Sequence, residues 1–362
     1  MNLKTKPDLE EVKRRWDAFW AGEVIHRPMV CAAAPKDGTR ALVDTLSTRY
    51  WNPCSGNYKA QLDLLDEWAD KTLFMGDLIP HVSPDHGPDQ FAAWLGSELK
   101  FSPHSIGTNW VEPSLTDWES FLPVTLQKDN AVWQSVLEYA SLLKDRGKGK
   151  YIVGMPDLHS HMDALSALRH PGQLCLDLYD IPERVRGGCA QVRALYPEIY
   201  ESIRTAGGMS EETGTIGWFP MWCDGKTAAV QCDFSVFLGN DMWREFVLPG
   251  IEEEVSYLDR CFYHLDGLQQ LNHLDDLLAL PRLDGVQFVP GTGQPEMFWR
   301  HWRDVLKKIL AAGKKVIVYG NMDLEAVKDV HRDLGAEGVI YEIFGATRDE
   351  IDAILMWLRR NT

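Results

Sequence analysis

KKVIVYGNMDLEAVKDVHRDLGAEGVIYEIFG (residues 314–345) decides the fold. Its two short apolar runs, 315–319 and 338–343, lack the alternation of a half-exposed strand and fit strands buried on both faces. Between them, 324–334 carries apolar residues at helical spacing. Strand, crossover helix and strand in that order make the unit a parallel sheet requires. Upstream the rhythm repeats, with strand-like runs at 215–222, 261–264 and 285–289. Helical stretches near 241–258, 295–312 and 348–359 separate or follow them.

The first half fits the same scheme. Asp8 as an N-cap, with Glu11 three residues on and Val12, Trp16, Phe19 and Trp20 at helical spacing, predicts a helix that packs across the sheet. Residues 29–34, ended by Pro35, read as the first buried strand. A helix over 57–70 leads to a strand at 72–75 that ends at Gly76 and Asp77. Residues 80–88 are too rich in Pro, Gly and His for regular structure and predict a loop on the active face. A helix at 130–144, a strand at 151–154 and helices over 163–207, interrupted at Pro171 and Pro182, complete the pattern. With no GxGxxG turn and no second domain boundary, the expected architecture is a (β/α)8 TIM barrel. It spans 1–362 as one domain, with 1–27 as a helical N-terminal extension.

The chain has 53 acidic and 37 basic residues, a formal net charge of −16, which speaks against nucleic acid and anionic membranes as partners. Its charged N-terminus and the absence of any long apolar run point to a cytoplasmic protein acting on a small molecule. Seven cysteines without a CxxC pair argue against a disulfide framework or zinc knuckle. Most of the 14 tryptophans are expected in core and lid packing.

Reactive groups of such barrels stand where strands end. His264 and Asp266, two apart, point to the same side if the strand runs through both. With Glu342 from a neighbouring strand they would form a three-ligand metal site with an open position; the alternative is hydrogen bonding to loops and an ion pair. Asp77, beside a loop bearing His81 and His86, reads as a general acid or base, or as a helix cap. His159 and His161 with Asp163 could bind metal, or be solvated histidines beside a cap. Cys223 and Cys232 could be thiolate ligands or inert core thiols.

Six segments carry a family resemblance: KTLFMGDLIP (71–80), GTNWVEP (107–113), YDIPERV (179–185), NDMWREFVLPGIEEEV (240–255), YHLDG (263–267) and YGNMD (319–323). In this order the chain resembles the uroporphyrinogen decarboxylase superfamily, whose barrels include zinc methyltransferases serving corrinoid proteins. The resemblance implies that Asp77 takes the place of the decarboxylases' pyrrole-binding aspartate. It puts His264 at the histidine of the methyltransferases' His-x-Cys zinc motif, with Asp266 at the cysteine and Glu342 near the distal one. The decarboxylases' arginine-rich motif is missing, with only Arg27 in its region. The methyltransferase branch is therefore the nearer one. It implies catalysis by Asp77 and His264, zinc on His264, Asp266 and Glu342, and a corrinoid carried by a partner protein. Substrate would meet His81, Trp110, His159, Cys223, Asp224 and Asn321. The reaction expected is methyl transfer between a small methylated compound or thiol and that corrinoid. The alternatives are a metal-free decarboxylase of a small aromatic or heterocyclic acid, centred on Asp77, and a non-catalytic binding barrel.

Overall fold

The apolar runs of the last third pair as parallel neighbours. In the computed structural model, which describes residues 2–104, 108–291, 293–294 and 298–362, thirteen strands occur among the described residues. They are β1 (Met29–Pro35), β2 (Thr72–Gly76), β3 (His81–Val82), β4 (Glu98–Lys100), β5 (Trp110–Glu112), β6 (Ile152–Val153) and β7 (Thr215–Ile216). After them come β8 (Trp222–Cys223), β9 (Thr227–Gln231), β10 (Arg260–Asp266), β11 (Gly285–Val289), β12 (Lys315–Gly320) and β13 (Val339–Ile343). The main sheet has seven strands in the order β2-β1-β13-β12-β11-β10-β9, all parallel except β2. Helices Leu248–Tyr257, Arg303–Ala311, Leu324–Leu334 and Arg348–Asn361 fall between or after its strands as the pattern requires. Residues 295–297 of the expected 295–312 helix, and Gly107 of the 107–113 segment, lie outside the described residues.

The sheet is not closed, which corrects the expectation of a regular eight-stranded barrel: β2 and β9 are its edges. Between them, among the described residues, stand the two-residue strands β3, β6 and β7, of which β3 and β6 pair in parallel through two backbone bonds. Asp77 N donates to Val30 O (2.6 Å), Ile152 N to Pro80 O (3.0 Å), Gly154 N to Val82 O (2.9 Å) and Met155 N to Ile216 O (2.8 Å). Two readings of single elements also change. Residues 215–222 are a hairpin of β7 against β8, not one strand. β9, TAAVQ, was not expected, since its alanines carry little strand propensity.

Strand alternation sorts the apolar residues into two cores. Val230, Tyr263, Leu265, Val316, Val318 and Tyr341 face the outer helices, whereas Met29, Ile79, Ile152, Ile216, Ala229, Phe262, Ile317 and Ile340 form an inner layer. Gly285 belongs to this layer because a Cβ there would come within 2.5 Å of both the Phe262 ring and the Lys315 carbonyl. The inner layer is stoppered at the foot of the strands by α1 (Leu9–Trp20), whose Trp16, Phe19 and Trp20 join the same cluster. Trp20 lies 6.0 Å from Phe262, ring to ring, and its Nε1 donates to Trp222 O at 2.8 Å. Asp8 holds the N-cap position, yet its carboxylate meets Lys6 Nζ (3.3 Å) rather than a helix amide.

Candidate active site

One step above the sealed inner layer the inward side chains turn polar. Gln231, His264, Gln287, Tyr319 and Glu342 succeed Ala229, Phe262, Gly285, Ile317 and Ile340 on β9 to β13, while His81 opens β3 and Trp218 follows β7. These are the carboxyl ends of the parallel strands, where open α/β sheets and barrels alike hold their ligands. The register places His264 beside Gln231 on one side and Gln287 on the other. His264 Nδ1 meets Gln287 Oε1 at 2.6 Å; the amide oxygen only accepts, so Nδ1 carries the proton and a neutral ring keeps its lone pair on Nε2. Trp218 stands edge-on to the ring at 5.1 Å.

Glu342 lies between Tyr319 and Cys31 in register. Loss of water alone pushes its carboxyl up to about 7, so the group is poised between acid and base near neutrality. Burial, together with the charges of Asp266 and Glu342, lifts the Tyr319 phenol to about 12. Burial also raises Asp266, with His264 pulling the other way and Asp233 adding to the rise.

A second cluster hangs from the end of β6. His159 Nε2 bonds Asp157 at 2.9 Å, and its Nδ1 faces Asp163 at 3.6 Å and Asp233 at 4.0 Å. Burial opposes a charge on His159, but Asp157, Asp233 and Asp163 outweigh it and hold the imidazolium far above its usual range. Burial likewise opposes ionisation of Asp157, and the His159 charge overcomes it to keep the carboxyl low. Gln231 Nε2 donates to Asp157 Oδ1 (2.6 Å), so one glutamine connects this ion pair to the strand position beside His264. Gln231 Oε1 and Trp218 Nε1 are buried without a hydrogen-bond partner, which leaves polar atoms for a ligand or water at this level.

Two cavities open on these clusters. One of about 480 Å³ is lined by His81, Ser83, Asp85, Arg49 and Trp218, under the irregular segment that follows β1. Burial and the nearby Asp157 push the Asp85 carboxyl up to about 6. The other, about 510 Å³, holds Trp110, His159, Asp163 and Asp233.

Three expected site residues lie elsewhere, for one reason of chain direction. β2 descends antiparallel to β1, so Asp77 arrives at the foot of the sheet and not at its mouth. There it is fully buried and clamped by Arg15 and Arg27, each at 2.6 Å, while Val30 N donates to its Oδ2 at 2.8 Å. In this place Asp77 ties α1 to the start of β1, away from the strand ends where a catalytic role was expected for it. Cys223 and Asp224 sit at the foot too, because the hairpin returns the chain there before β9 rises; Cys223 is buried against α1, with its thiol pushed up to about 12 by burial. Asn321 is exposed just beyond β12.

The expected metal set is not assembled either. β11 and β12 separate β10 from β13, so Glu342 is not on a strand neighbouring His264 and Asp266. Among the described residues no three His, Cys, Asp or Glu side chains are grouped to hold a metal ion. As placed, these residues do not fit zinc.

Trp218, Gln231, Gln287 and Tyr319 were not singled out as site residues from the sequence. The signal was there: Gln231 ends an apolar run and Gln287 interrupts one, each at an inward position.

No family model matches the sequence, and no curated protein matches it. Among solved structures, a methyltransferase from Methanosarcina mazei superposes with a TM-score of 0.62. The match covers 97% of this chain and 98% of that one, at 13% sequence identity. The likeness shows a shared fold. Among the described residues no helix is long and apolar enough to cross a membrane.

Proposed function

We propose that the chain is a methyltransferase-like enzyme that moves a methyl group between a small methylated compound, or a thiol, and a corrinoid carried by a partner protein. The observation that carries the reading is the polar layer over a sealed apolar floor, with His264 fixed by Gln287 and Glu342 titrating near neutrality. The fold shared with a methyltransferase supports it. In this reading His264 Nε2 takes the one proton released when a thiol accepts the methyl group, or returns it to the heteroatom that gives the group up, and the neutral Glu342 carboxyl keeps its proton and donates a hydrogen bond. Trp218 and Tyr319 narrow the mouth around the reacting atoms. Zinc on His264, Asp266 and Glu342 belongs to the proposal only as a rearranged site, and no step depends on it.

The test is spectroscopic. Enzyme, methylcobalamin and a panel of thiols, or cob(I)alamin and methylated donors, should show interconversion of the two cobalamin spectra. His264→Ala should slow it by about 10²- to 10⁴-fold, the usual worth of a positioned acid–base group. No conversion with any pair, with and without added zinc, would overturn the reading.

A neutral Glu342 also suits protonation of a carbanion after loss of CO₂, so decarboxylation of a small aromatic or heterocyclic acid is the second reading, moved from Asp77 to Glu342. Release of CO₂ from such acids, abolished in Glu342→Gln and retained in His264→Ala, would favour it.

A further inference from the structure

The cleft around His159 has a composition its role beside Asp157 does not explain. Trp110 and Phe237, at 61% and 63% exposure, both line it, although large aromatic faces are seldom left in water without use. Three aspartates, Asp89, Asp163 and Asp233, line the same space, and among the described residues that line it there is no lysine or arginine.

The carboxylates are not equivalent. Asp163 is occupied: its oxygens accept from Asp233 N (2.9 Å) and Phe234 N (2.8 Å), capping the short helix that starts there. Asp89 Oδ2 accepts from Val111 N at 3.2 Å. Asp233 differs, since its Oδ1 is buried without a hydrogen-bond partner while the residue as a whole is about half exposed, at 47%. Of the two histidines among the described lining residues, His159 is already shared among Asp157, Asp163 and Asp233, and His170 accepts from Gly172 N at its Nδ1 (3.2 Å). Negative charge is therefore left beside aromatic residues, and the exposed side of the Asp233 carboxylate is open to a hydrogen bond.

We infer that this cleft, between Trp110 and Phe237 and beside Asp233, binds a small organic monocation: a methylated ammonium that also carries one hydrogen-bond donor. Aromatic faces attract a cation whose charge is spread over methyl groups, which a hydrated metal ion or a neutral alcohol does not match. The exposed part of the Asp233 carboxylate receives the donor, and the remaining carboxylates supply the field. A cavity of about 510 Å³ accommodates a ligand of this size with room for water. Only the description of this ligand as a methyl donor rests on the methyl-transfer reading; its binding does not.

Titration of the full chain with choline, followed by calorimetry and tryptophan fluorescence with no cobalamin or acceptor present, tests the inference. Choline should bind saturably, and its neutral isostere 3,3-dimethylbutan-1-ol at least tenfold more weakly. Trp110→Ala and Asp233→Asn should each weaken choline by about three- to thirtyfold, within the range of a cation–π or charged contact. Both residues are open to solvent, so an unchanged melting temperature confirms that fold loss is not the cause. Equal binding of the isostere, displacement of choline by millimolar magnesium or zinc, or unchanged affinity in both variants would overturn it. Because nothing turns over in this assay, failure of methyl transfer leaves the result standing.

Discussion

Asp77→Asn separates an anchor from a catalyst. The carboxylate is 0% exposed, and its guanidinium partners Arg15 and Arg27 are 6% and 4% exposed, so none of the three charges can fall back on water. Removing one charge of a buried group of this kind costs about 3–5 kcal/mol, because the partners keep their desolvation cost and lose their compensation. At 1.4 kcal/mol per factor of ten, that is roughly two to four powers of ten in the folding constant. The asparagine can still accept from Val30 N, so the loss comes from charge and not from that backbone bond. Urea unfolding followed by tryptophan fluorescence reads the change directly, with Trp16 donating to the Asp77 carbonyl at 3.1 Å as a local reporter. Burial opposes ionisation of Asp77, but Arg27 and Arg15 outweigh it and hold the pKa below 3.8. A depressed folded value stabilises above the unfolded one and is lost as pH falls through it, so wild type and variant should converge below about pH 4. A loss under 1 kcal/mol at pH 7, joined to complete loss of turnover, would refute the anchoring account and restore a chemical role.

Glu342→Gln tests the dry carboxyl. Because its folded pKa of about 7 exceeds the ordinary 4.5, the native state binds the extra proton, and wild-type stability falls as pH rises between those values. The variant should gain on wild type by up to about 3 kcal/mol between pH 4.5 and 8; parallel stability–pH curves would show that Glu342 is solvated. Gly285→Ala should destabilise by about 1–3 kcal/mol through overpacking against Phe262 and the Lys315 carbonyl. A melting temperature within a degree of wild type would mean that this layer is looser than described.

The regular half of the fold was legible because each strand from Arg260 to Ile343 is built on a short, mostly apolar run, and those runs carry their own direction once helices separate them. The same logic failed for β2 and β8. A strand's residues say that it is buried, not which way it runs, and both strands descend, taking Asp77, Cys223 and Asp224 to the foot. β9 escaped notice because its alanines give no strand signal, although it borders His264. The site was half visible. His264, Asp266 and Glu342 end apolar runs, but their grouping depends on how many strands intervene, which no spacing within one strand reveals. His159 was visible as a residue and not as a charge, since Asp157 and Asp163 stand near it in sequence but only the fold turns them, together with the distant Asp233, towards its ring.

The helix Leu9–Trp20, seated in the foot of the inner layer, makes the interior a blind well. Whatever reacts there must enter and leave on the side of the strand ends. A donor and an acceptor cannot approach from opposite ends, so they either wait side by side at the rim or take turns. If they take turns, something in the well must hold the transferred group between visits, and the kinetics would be ping-pong.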